Sequence, residues 1–285
     1  MKLRILPILF VLFSLSARSF GADTLRILSW NIFMVPPGIF KSDQVNRGKM
    51  IAEVLDRSGA DVIILQEAFM KKTRDIIQQK IGGVYVHHTG KPKGSGFFKT
   101  NSGVWVLSRL PIEDLRFVRY KNCKGTDCFG GKGAYVFSVT KNGHTSYIAG
   151  THVQSGAQPA TRQKQFAQLV AETAYIPADV PLLILGDLNT DLYLPDEHRA
   201  MLETLQAEDG PTEGEKYSYA ADNDLAKRFF GENNSSLDYL LVRDKAHKIS
   251  SVKRTIHRYS SVSFGTYRFK DLSDHNALVG EVVFK

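Results

Sequence analysis

The sequence predicts an α+β architecture, in which mixed β-sheets are stacked face to face and helices pack on the outside. Short apolar runs of strand length recur along the chain, and each ends in a polar cluster. Segments with a helical period of about 3.6 residues lie between some of these runs. Some neighbouring strands are also joined as hairpins. This mixture of connections favours mixed sheets over a single regular one.

The strand-like segments are short and apolar. The clearest hairpin is centred on Asn142-Gly143, a residue pair that favours a tight turn between antiparallel strands. In chain order, the predicted strands are Leu25–Trp30, Val62–Leu65, Gly103–Leu107, Ala134–Val139, Ser146–Ala149, Leu182–Leu185, Leu237–Val242 and Ala277–Phe284.

The helical segments repeat apolar residues at spacings of three and four, which places them on one face. The predicted helices are Arg47–Arg57, Thr73–Lys80, Thr161–Thr173 and Glu197–Leu205. Stretches rich in Gly, Asn, Asp and Glu are predicted to be surface loops, namely Lys91–Asn101, Pro195–Glu197 and Asp209–Ser236. Candidate site residues lie on both sides of each loop, so residues 23–285 are predicted to form a single catalytic domain.

The first 22 residues have the pattern of a signal peptide. A basic start at Lys2 and Arg4 precedes the apolar run Ile5–Leu15, and small residues follow at Gly21-Ala22. The run is shorter than the roughly 20 residues that span a bilayer, which disfavours the alternatives of a membrane anchor or a buried helix. We therefore expect secretion, either to the outside or to the periplasm.

Charge and cysteine content narrow the class of protein. The formal charge is +8, and it falls to +5 when Lys2, Arg4 and Arg18 leave with the signal peptide. A mildly basic protein favours phosphate-bearing partners but does not distinguish membranes from nucleic acids. Cys123 and Cys128 are the only cysteines, and export favours a local disulfide between them over two free thiols.

Polar side chains lie at the ends of the predicted strands. They are Asn31, Glu67, His152, Asp187, Asn189, Asp238, Asp274 and His275. Because strand ends converge on one edge of a sheet, these groups can share one cleft. Any one of them alone is explained equally well as a turn former, a helix cap or an ordinary polar residue. The ordered set is what indicates a site.

The chemistry of this set suits hydrolysis of a phosphodiester. Glu67 and Asn31 offer hard oxygen donors for Mg²⁺, which polarises a phosphoryl oxygen. His275 is the natural general base for the attacking water, with Asp238 holding its tautomer.

Further polar residues of the set would handle the phosphate. Asp187 and Asn189 would orient the water and grip the phosphate. His152 would donate to a phosphate oxygen or assist the leaving group.

The motifs together resemble the endonuclease/exonuclease/phosphatase superfamily over residues 25–285. They are Ser29-Trp30-Asn31, Leu65-Gln66-Glu67, Gly150-Thr151-His152, Gly186-Asp187-Leu188-Asn189, Leu237-Asp238-Tyr239 and Ser273-Asp274-His275. The resemblance implies a four-layered α/β/β/α sandwich. It also implies that Asp274 lies at or near the metal.

Within that superfamily the chain is most similar to the bacterial neutral sphingomyelinases, the phospholipase C-type haemolysins. The supporting features are Asn31-Ile32-Phe33-Met34 with Arg47, Lys132-Gly133, Thr151-His152-Val153-Gln154, and Tyr217-Ser218-Tyr219 with Asn223. The similarity implies hydrolysis of sphingomyelin to ceramide and phosphocholine at a membrane surface, by a monomer that uses Mg²⁺ or another divalent cation such as Mn²⁺ or Co²⁺. It also implies that Lys132 binds substrate.

Two segments are candidates for lipid contact. Sphingomyelinases of this type often carry an aromatic hairpin before Ser-Asp-His. Here that region has aromatic residues but no Trp and no long apolar tip, and Phe264 and Tyr267 are the candidates for lipid contact. The loop Val35–Phe40 is the second candidate, with packing on the core as the alternative for both.

Two other functions stay open, namely a secreted Mg²⁺-dependent nuclease on the same scaffold and a binding or toxin module without turnover.

Overall fold

The computed structural model describes residues 23–93, 100–261 and 269–285. In these residues, twelve strands form two mixed sheets, and five helices pack around them. The predicted four-layered α/β/β/α sandwich is confirmed. The predicted signal peptide, Phe264 and Tyr267 lie outside the described residues. No helix in the described part is long and apolar enough to cross a membrane.

The larger sheet has seven strands, and its central strands carry part of the candidate site. β1 (Thr24–Asn31) pairs in parallel with β2 (Val62–Gln66) and antiparallel with β12 (Ala277–Phe284), so the carboxyl ends of β1 and β2 lie at the same edge. In spatial order the strands are β3 (His87–His88), β4 (Trp105–Ser108), β2 (Val62–Gln66), β1 (Thr24–Asn31), β12 (Ala277–Phe284), β11 (Ile249–His257) and β9 (Glu213–Gly214).

The smaller sheet has five strands. β7 and β8 are parallel, and their last residues, His152 and Asp187, are directly paired. The hairpin predicted at Asn142-Gly143 joins β6 to β7, and both turn residues have positive φ, 51° and 86°. In spatial order the strands are β10 (Asp238–Arg243), β8 (Leu182–Asp187), β7 (His144–His152), β6 (Gly133–Lys141) and β5 (Glu113–Arg119).

Three apolar layers hold the sandwich together. One lies between the two sheets, where alternate residues such as Ile64 and Leu185 meet. The opposite faces pack against helices: α1 and α2 cover the larger sheet, and α3 and α4 cover the smaller one. The helices are α1 (Gln44–Arg57), α2 (Lys71–Ile81), α3 (Pro159–Glu172), α4 (Pro195–Leu205) and α5 (Asp224–Phe230).

Two of the predicted loops contain regular structure. Pro195–Glu197 is the first turn of α4, because Pro at the start of a helix loses no hydrogen bond and Asp196 and Glu197 suit the helix N-terminus. The stretch Asp209–Ser236 contains β9 and α5. The interpretation of these two segments as wholly irregular is therefore wrong.

Candidate active site

The structure brings the predicted site residues of both sheets into one cleft. Asn31 links the sheets, since its side-chain amide donates to Glu67 Oε1 at 3.3 Å and to Asp187 Oδ2 at 3.1 Å. Asp187 Oδ2 in turn lies 3.4 Å from His152 Nε2 and 3.8 Å from His275 Nε2. Asp187 Oδ2 thus accepts a hydrogen bond from the Asn31 amide and lies close to two imidazoles.

His275 and Asp238 form a buried pair. Nδ1 of His275 donates to Asp238 Oδ2 at 2.8 Å, and this bond leaves Nε2 facing the cleft. Burial alone would lower the pKa of His275, but the carboxylates of Asp238 and Asp187 outweigh it and raise the pKa well above its usual value. The Asp238 backbone is fixed by Ser218, whose hydroxyl accepts from the Asp238 N–H at 3.1 Å.

His152 is held in the opposite electrostatic state. It is buried beside the ammonium of Lys132, whose Nζ lies 3.0 Å from His152 Nε2. Burial and the Lys132 charge lower the pKa of His152 to about 3, so the ring is neutral at physiological pH. Because a lysine ammonium only donates, Nε2 of His152 accepts this hydrogen bond.

A disulfide loop positions the lysine. Cys123 and Cys128 are bonded, which confirms the predicted local disulfide, and between them lies a short 3-10 helix, Gly125–Phe129. Asp127 on this helix pairs with Lys132 Nζ at 2.9 Å. The same Asp127 carboxylate accepts from the backbone and hydroxyl of Ser155 at 2.7 and 3.0 Å. The role of Asp127 was not predicted, although it directly precedes Cys128.

The loop Gly186–Asn189 needs an unusual backbone. Gly186 has φ of +144°, and a Cβ there would lie 1.8 Å from the carbonyl oxygen of Thr151 on the neighbouring strand. Asn189 has φ of 47° and its side chain donates to the Val153 carbonyl. Asp187 Oδ1 accepts from the Asn189 N–H at 3.0 Å, which closes a tight turn and fixes the carboxylate.

Glu67 also sits in a strained turn. Its φ is 53°, directly after β2, and the turn is held by Arg74, which donates to the carbonyls of Ala68 and Phe69 at 2.6 and 2.7 Å. A Cβ at Gly103 would lie 2.8 Å from the Phe69 ring, so only glycine permits this approach. Such strained backbone conformations cost free energy and are common at functional sites.

The acidic residues of the larger sheet fit a divalent cation. Glu67 Oε2 is buried and has no hydrogen-bond partner among the described residues. Burial and the nearby Asp274 carboxylate raise the pKa of Glu67 to about 7, and burial also raises that of Asp274. A cation bound beside these carboxylates would favour their charged forms.

The donor set is small. Within the described residues, no group of three or more His, Cys, Asp or Glu side chains is arranged to hold a metal ion. Two carboxylates, Glu67 and Asp274, together with the amide of Asn31 suit Mg²⁺, which keeps several waters, better than they suit Zn²⁺.

Arg47 supports the cleft from behind and was not predicted as a site residue. It is fully buried, and its guanidinium donates to backbone carbonyls at Ile32, Phe33 and Leu272. These carbonyls flank Asn31 and Asp274 in sequence. Burial lowers the pKa of Arg47 to about 10, and Asp274 is the largest opposing influence. The sequence marked Arg47 only as part of a family resemblance.

Comparison with known proteins agrees with this arrangement. Residues 28–275 match the Endonuclease/Exonuclease/phosphatase family. The chain belongs to this family. The match spans every described site residue from Asn31 to His275 and confirms the resemblance seen in the motifs.

Named relatives in the family are similar over most of their length. Sphingomyelinase C from Listeria ivanovii is 27% identical over an alignment of 286 positions that covers 90% of this chain and 85% of that protein. Phospholipase C from Staphylococcus aureus is 27% identical and covers 82% of this chain and 78% of that protein. The chain is therefore a hydrolase of the endonuclease/exonuclease/phosphatase family that is related to sphingomyelinases.

Solved structures of the family share the sandwich. Sphingomyelinase C from Streptomyces griseocarneus superposes with a TM-score of 0.80 at 27% identity, covering 90% of this chain and 99% of that one. A beta toxin mutant from Staphylococcus aureus, solved with bound magnesium ions, gives a TM-score of 0.79 at 22% identity. It covers 92% of this chain and 99% of its own, and at that identity it shows the fold alone.

Proposed function

We propose that this protein is a secreted, divalent cation-dependent phosphodiesterase that hydrolyses sphingomyelin to ceramide and phosphocholine. The observation that carries the reaction class is the pair of imidazoles, His275 and His152, on either side of one Asp187 carboxylate oxygen. The lipid substrate is supported by the relatives named sphingomyelinase C and phospholipase C. Secretion is supported by the sequence of residues 1–22.

His275 would act as general base on the attacking water. The bond from Nδ1 to Asp238 fixes the tautomer, so that a neutral ring presents Nε2 as the acceptor toward the cleft. A divalent cation held by Glu67, Asp274 and Asn31 would polarise a phosphoryl oxygen and offset the charge of those carboxylates. That cation would also weaken the contribution of Asp274 to the raised pKa of His275, which Asp238 and Asp187 mainly cause.

Lys132, His152 and Asn189 would bind the phosphate and assist departure of ceramide. Water attacks phosphorus as one of its protons passes to His275, the bond from phosphorus to the ceramide oxygen breaks, and that oxygen takes a proton from solvent. Once Lys132 donates to a phosphate oxygen instead of to His152 Nε2, 3.0 Å away, the neutral ring can carry its proton on Nε2 and donate to a second oxygen. Asp187, flanked by both rings, would orient the water.

The test is release of phosphocholine from sphingomyelin liposomes with Mg²⁺ and with EDTA, run beside phosphatidylcholine liposomes and supercoiled plasmid. We expect Mg²⁺-dependent release from sphingomyelin and its loss in His275→Ala. His198→Ala is a matched control, since His198 forms a similar pair with Asp209 at 3.1 Å elsewhere in the fold. Absence of release in the presence of Mg²⁺ would rule the substrate out, and plasmid nicking instead would favour a nuclease.

A further inference from the structure

An exposed apolar patch lies beside the candidate active site, and we call it the aromatic face. It consists of Ile39, Phe40, Phe229 and Phe230, which come from the loop after β1 and the end of α5. Ile39 is 65% exposed and Phe230 is 47% exposed, values that are unusual for large apolar side chains. We propose that the aromatic face docks the enzyme on a phospholipid bilayer, an inference that rests on the proposed lipid substrate.

The face is one continuous cluster. The ring of Phe40 lies 5.2 Å from that of Phe229 and 5.3 Å from that of Phe230, in edge-on contacts. Phe33 lies beneath them and contacts all three at 5.4 to 5.8 Å. Since Phe33 is buried, the exposed residues are mounted on a rigid apolar base.

The exposed tip is held by its own turn. The backbone N–H groups of Ile39 and Phe40 both donate to the Pro36 carbonyl, at 2.9 and 3.2 Å. The Gln44 side chain donates to the carbonyls of Val35 and Phe40 and closes the loop at its base. A loop that satisfies its backbone internally enters an apolar medium at lower cost than an open one.

The face is continuous with the candidate active site at both ends. The Phe33 N–H donates to Asn31 Oδ1 at 3.2 Å, so the loop begins inside the cleft. At the start of α5, the Asn223 side chain donates at 2.8 Å to the carbonyl of Ser273, the residue before Asp274. Both elements that carry the face are therefore anchored to segments that bear candidate site residues, and the proposal places the bilayer on that side of the molecule.

Charge and size identify the occupant. Lys41 and Arg228 are exposed and directly adjoin residues of the face in sequence, and such basic groups suit lipid phosphates, whereas Lys227 is paired with Glu232. Among the described residues, four apolar side chains form the face, and two of these are partly buried. A stable protein interface needs about 20 to 30 residues on each side, so the face is small for a second copy but sufficient to anchor a loop in lipid.

The experiment measures vesicle binding and turnover separately. Binding of the purified protein is measured by flotation with phosphatidylcholine vesicles that contain some phosphatidylglycerol and no sphingomyelin. The double variant Ile39→Ser with Phe230→Ser should bind at least about tenfold more weakly, since each buried apolar side chain contributes substantially to partitioning. Its melting temperature and its hydrolysis of the monomeric ester p-nitrophenyl phosphocholine should match those of the unmodified protein.

Val86→Ser is the matched control. Val86 is 58% exposed and directly precedes β3. β3 pairs with the end of β4, and that end of β4 lies beside the start of β2. Glu67 follows the other end of β2, so Val86 is far from it. The Val86→Ser variant should bind vesicles like the unmodified protein. Equal binding by the double variant would overturn the docking proposal, as would a dimer that the double variant dissociates. Vesicle binding without sphingomyelin hydrolysis would instead remove the proposed function and leave the docking face standing.

Discussion

The two imidazoles beside Asp187 differ in their charge state because their surroundings differ. Asp238 and Asp187 outweigh burial and raise the pKa of His275, whereas burial and Lys132 lower that of His152. A site that separates the pKa values of two similar groups in this way assigns them different tasks. Under the proposed function, His275 handles the attacking water and His152 the phosphate side.

Asp238→Asn tests the support of His275. An amide at this position can present its NH₂ to Nδ1, which favours the wrong tautomer and removes the negative charge beside the ring. We expect kcat to fall by about 10²- to 10⁴-fold with KM changed little. The measurement is steady-state phosphocholine release from sphingomyelin liposomes. Asp209→Asn, at the other His–Asp pair, should retain normal rates, and a near-normal kcat for Asp238→Asn would contradict the assignment.

His152 should make the protein sensitive to acid. Its pKa in the folded state is about 3, below the roughly 6.5 of an unfolded chain, so below pH 6.5 the unfolded state binds the extra proton. Stability from this residue is therefore present above pH 6.5 and is lost as the pH falls toward 3. Between pH 7 and pH 5 the loss is up to about 2 kcal/mol.

The measurement compares urea unfolding of the unmodified protein and His152→Gln at pH 7 and pH 5. Other titrating groups, such as Glu67, are present in both proteins, so the difference between the two slopes isolates His152. The variant should lose less free energy of unfolding on acidification. Identical pH dependence in both proteins would show that His152 takes up its proton in the folded state as readily as in the unfolded one.

Helix α5 illustrates how a short element positions the cleft. Asn223 caps it, since its side-chain oxygen accepts from the N–H groups of Leu225 and Ala226, while its nitrogen donates to the Ser273 carbonyl. One side chain therefore ties the helix start to the segment that bears Asp274 and His275. The helix has seven residues, too few to be stable by itself, so tertiary contacts decide whether it forms.

Removal of this tie should affect both stability and turnover. Asn223→Ala loses the cap and the bond to Ser273, and we expect a cost of about 1–3 kcal/mol in the free energy of unfolding, with a lower kcat. Asn223→Ser restores a cap but cannot supply the amide donor. Serine should therefore recover part of the stability, as measured by urea unfolding, but not the kcat. Full recovery of both by serine would show that only the cap matters.

Strands with a continuous apolar sequence were predictable, and those whose formation depends on their neighbours were not. β1, β2, β8 and β12 are buried along most of their length and were found from the sequence. β5 is largely exposed, β11 is only partly buried, and both contain charged residues, so their sequences carry little strand signal. Their hydrogen-bonding neighbours create them, and no local pattern records those neighbours.

The same limit applies to the candidate site. The sequence could place Glu67, Asp187 and His275 at strand ends, because a carboxylate or imidazole directly beside an apolar run is visible. It could not show that Arg47 serves carbonyls instead of carboxylates, since its partners are backbone atoms of distant segments. Nor could it show that Asp127 acts through Lys132, because that contact depends on the fold of the disulfide loop.

The cleft lies where the two sheets join. Glu67 and Asp274 extend from the seven-stranded sheet, and His152, Asp187 and Asp238 from the five-stranded one. Direct hydrogen bonds cross the seam through Asn31 and His275. In the absence of a cation, Glu67 and Asp274 repel each other at this seam. Binding of a cation should therefore change the free energy of unfolding of the entire sandwich.

Mg²⁺ should therefore raise the melting temperature of the protein, and EDTA should lower it. At a Mg²⁺ concentration 100 times the dissociation constant, binding to the folded state alone contributes about 2.7 kcal/mol. Glu67→Gln removes one of the two buried charges, so this variant should be at least as stable as the unmodified protein in EDTA yet gain little from Mg²⁺. The measurement is thermal unfolding at several Mg²⁺ concentrations.

Glu281→Gln provides the control, because Glu281 makes only a partly exposed ion pair with Arg26, at 3.6 Å. It should show the full Mg²⁺-dependent shift. The change in stability of Glu67→Gln in EDTA tests whether the two carboxylates repel each other. If Glu67→Gln destabilises the metal-free protein as a broken hydrogen bond would, then the carboxylate is neutral or well paired without a cation. If the variant keeps the full Mg²⁺-dependent shift, Glu67 is not part of a metal site.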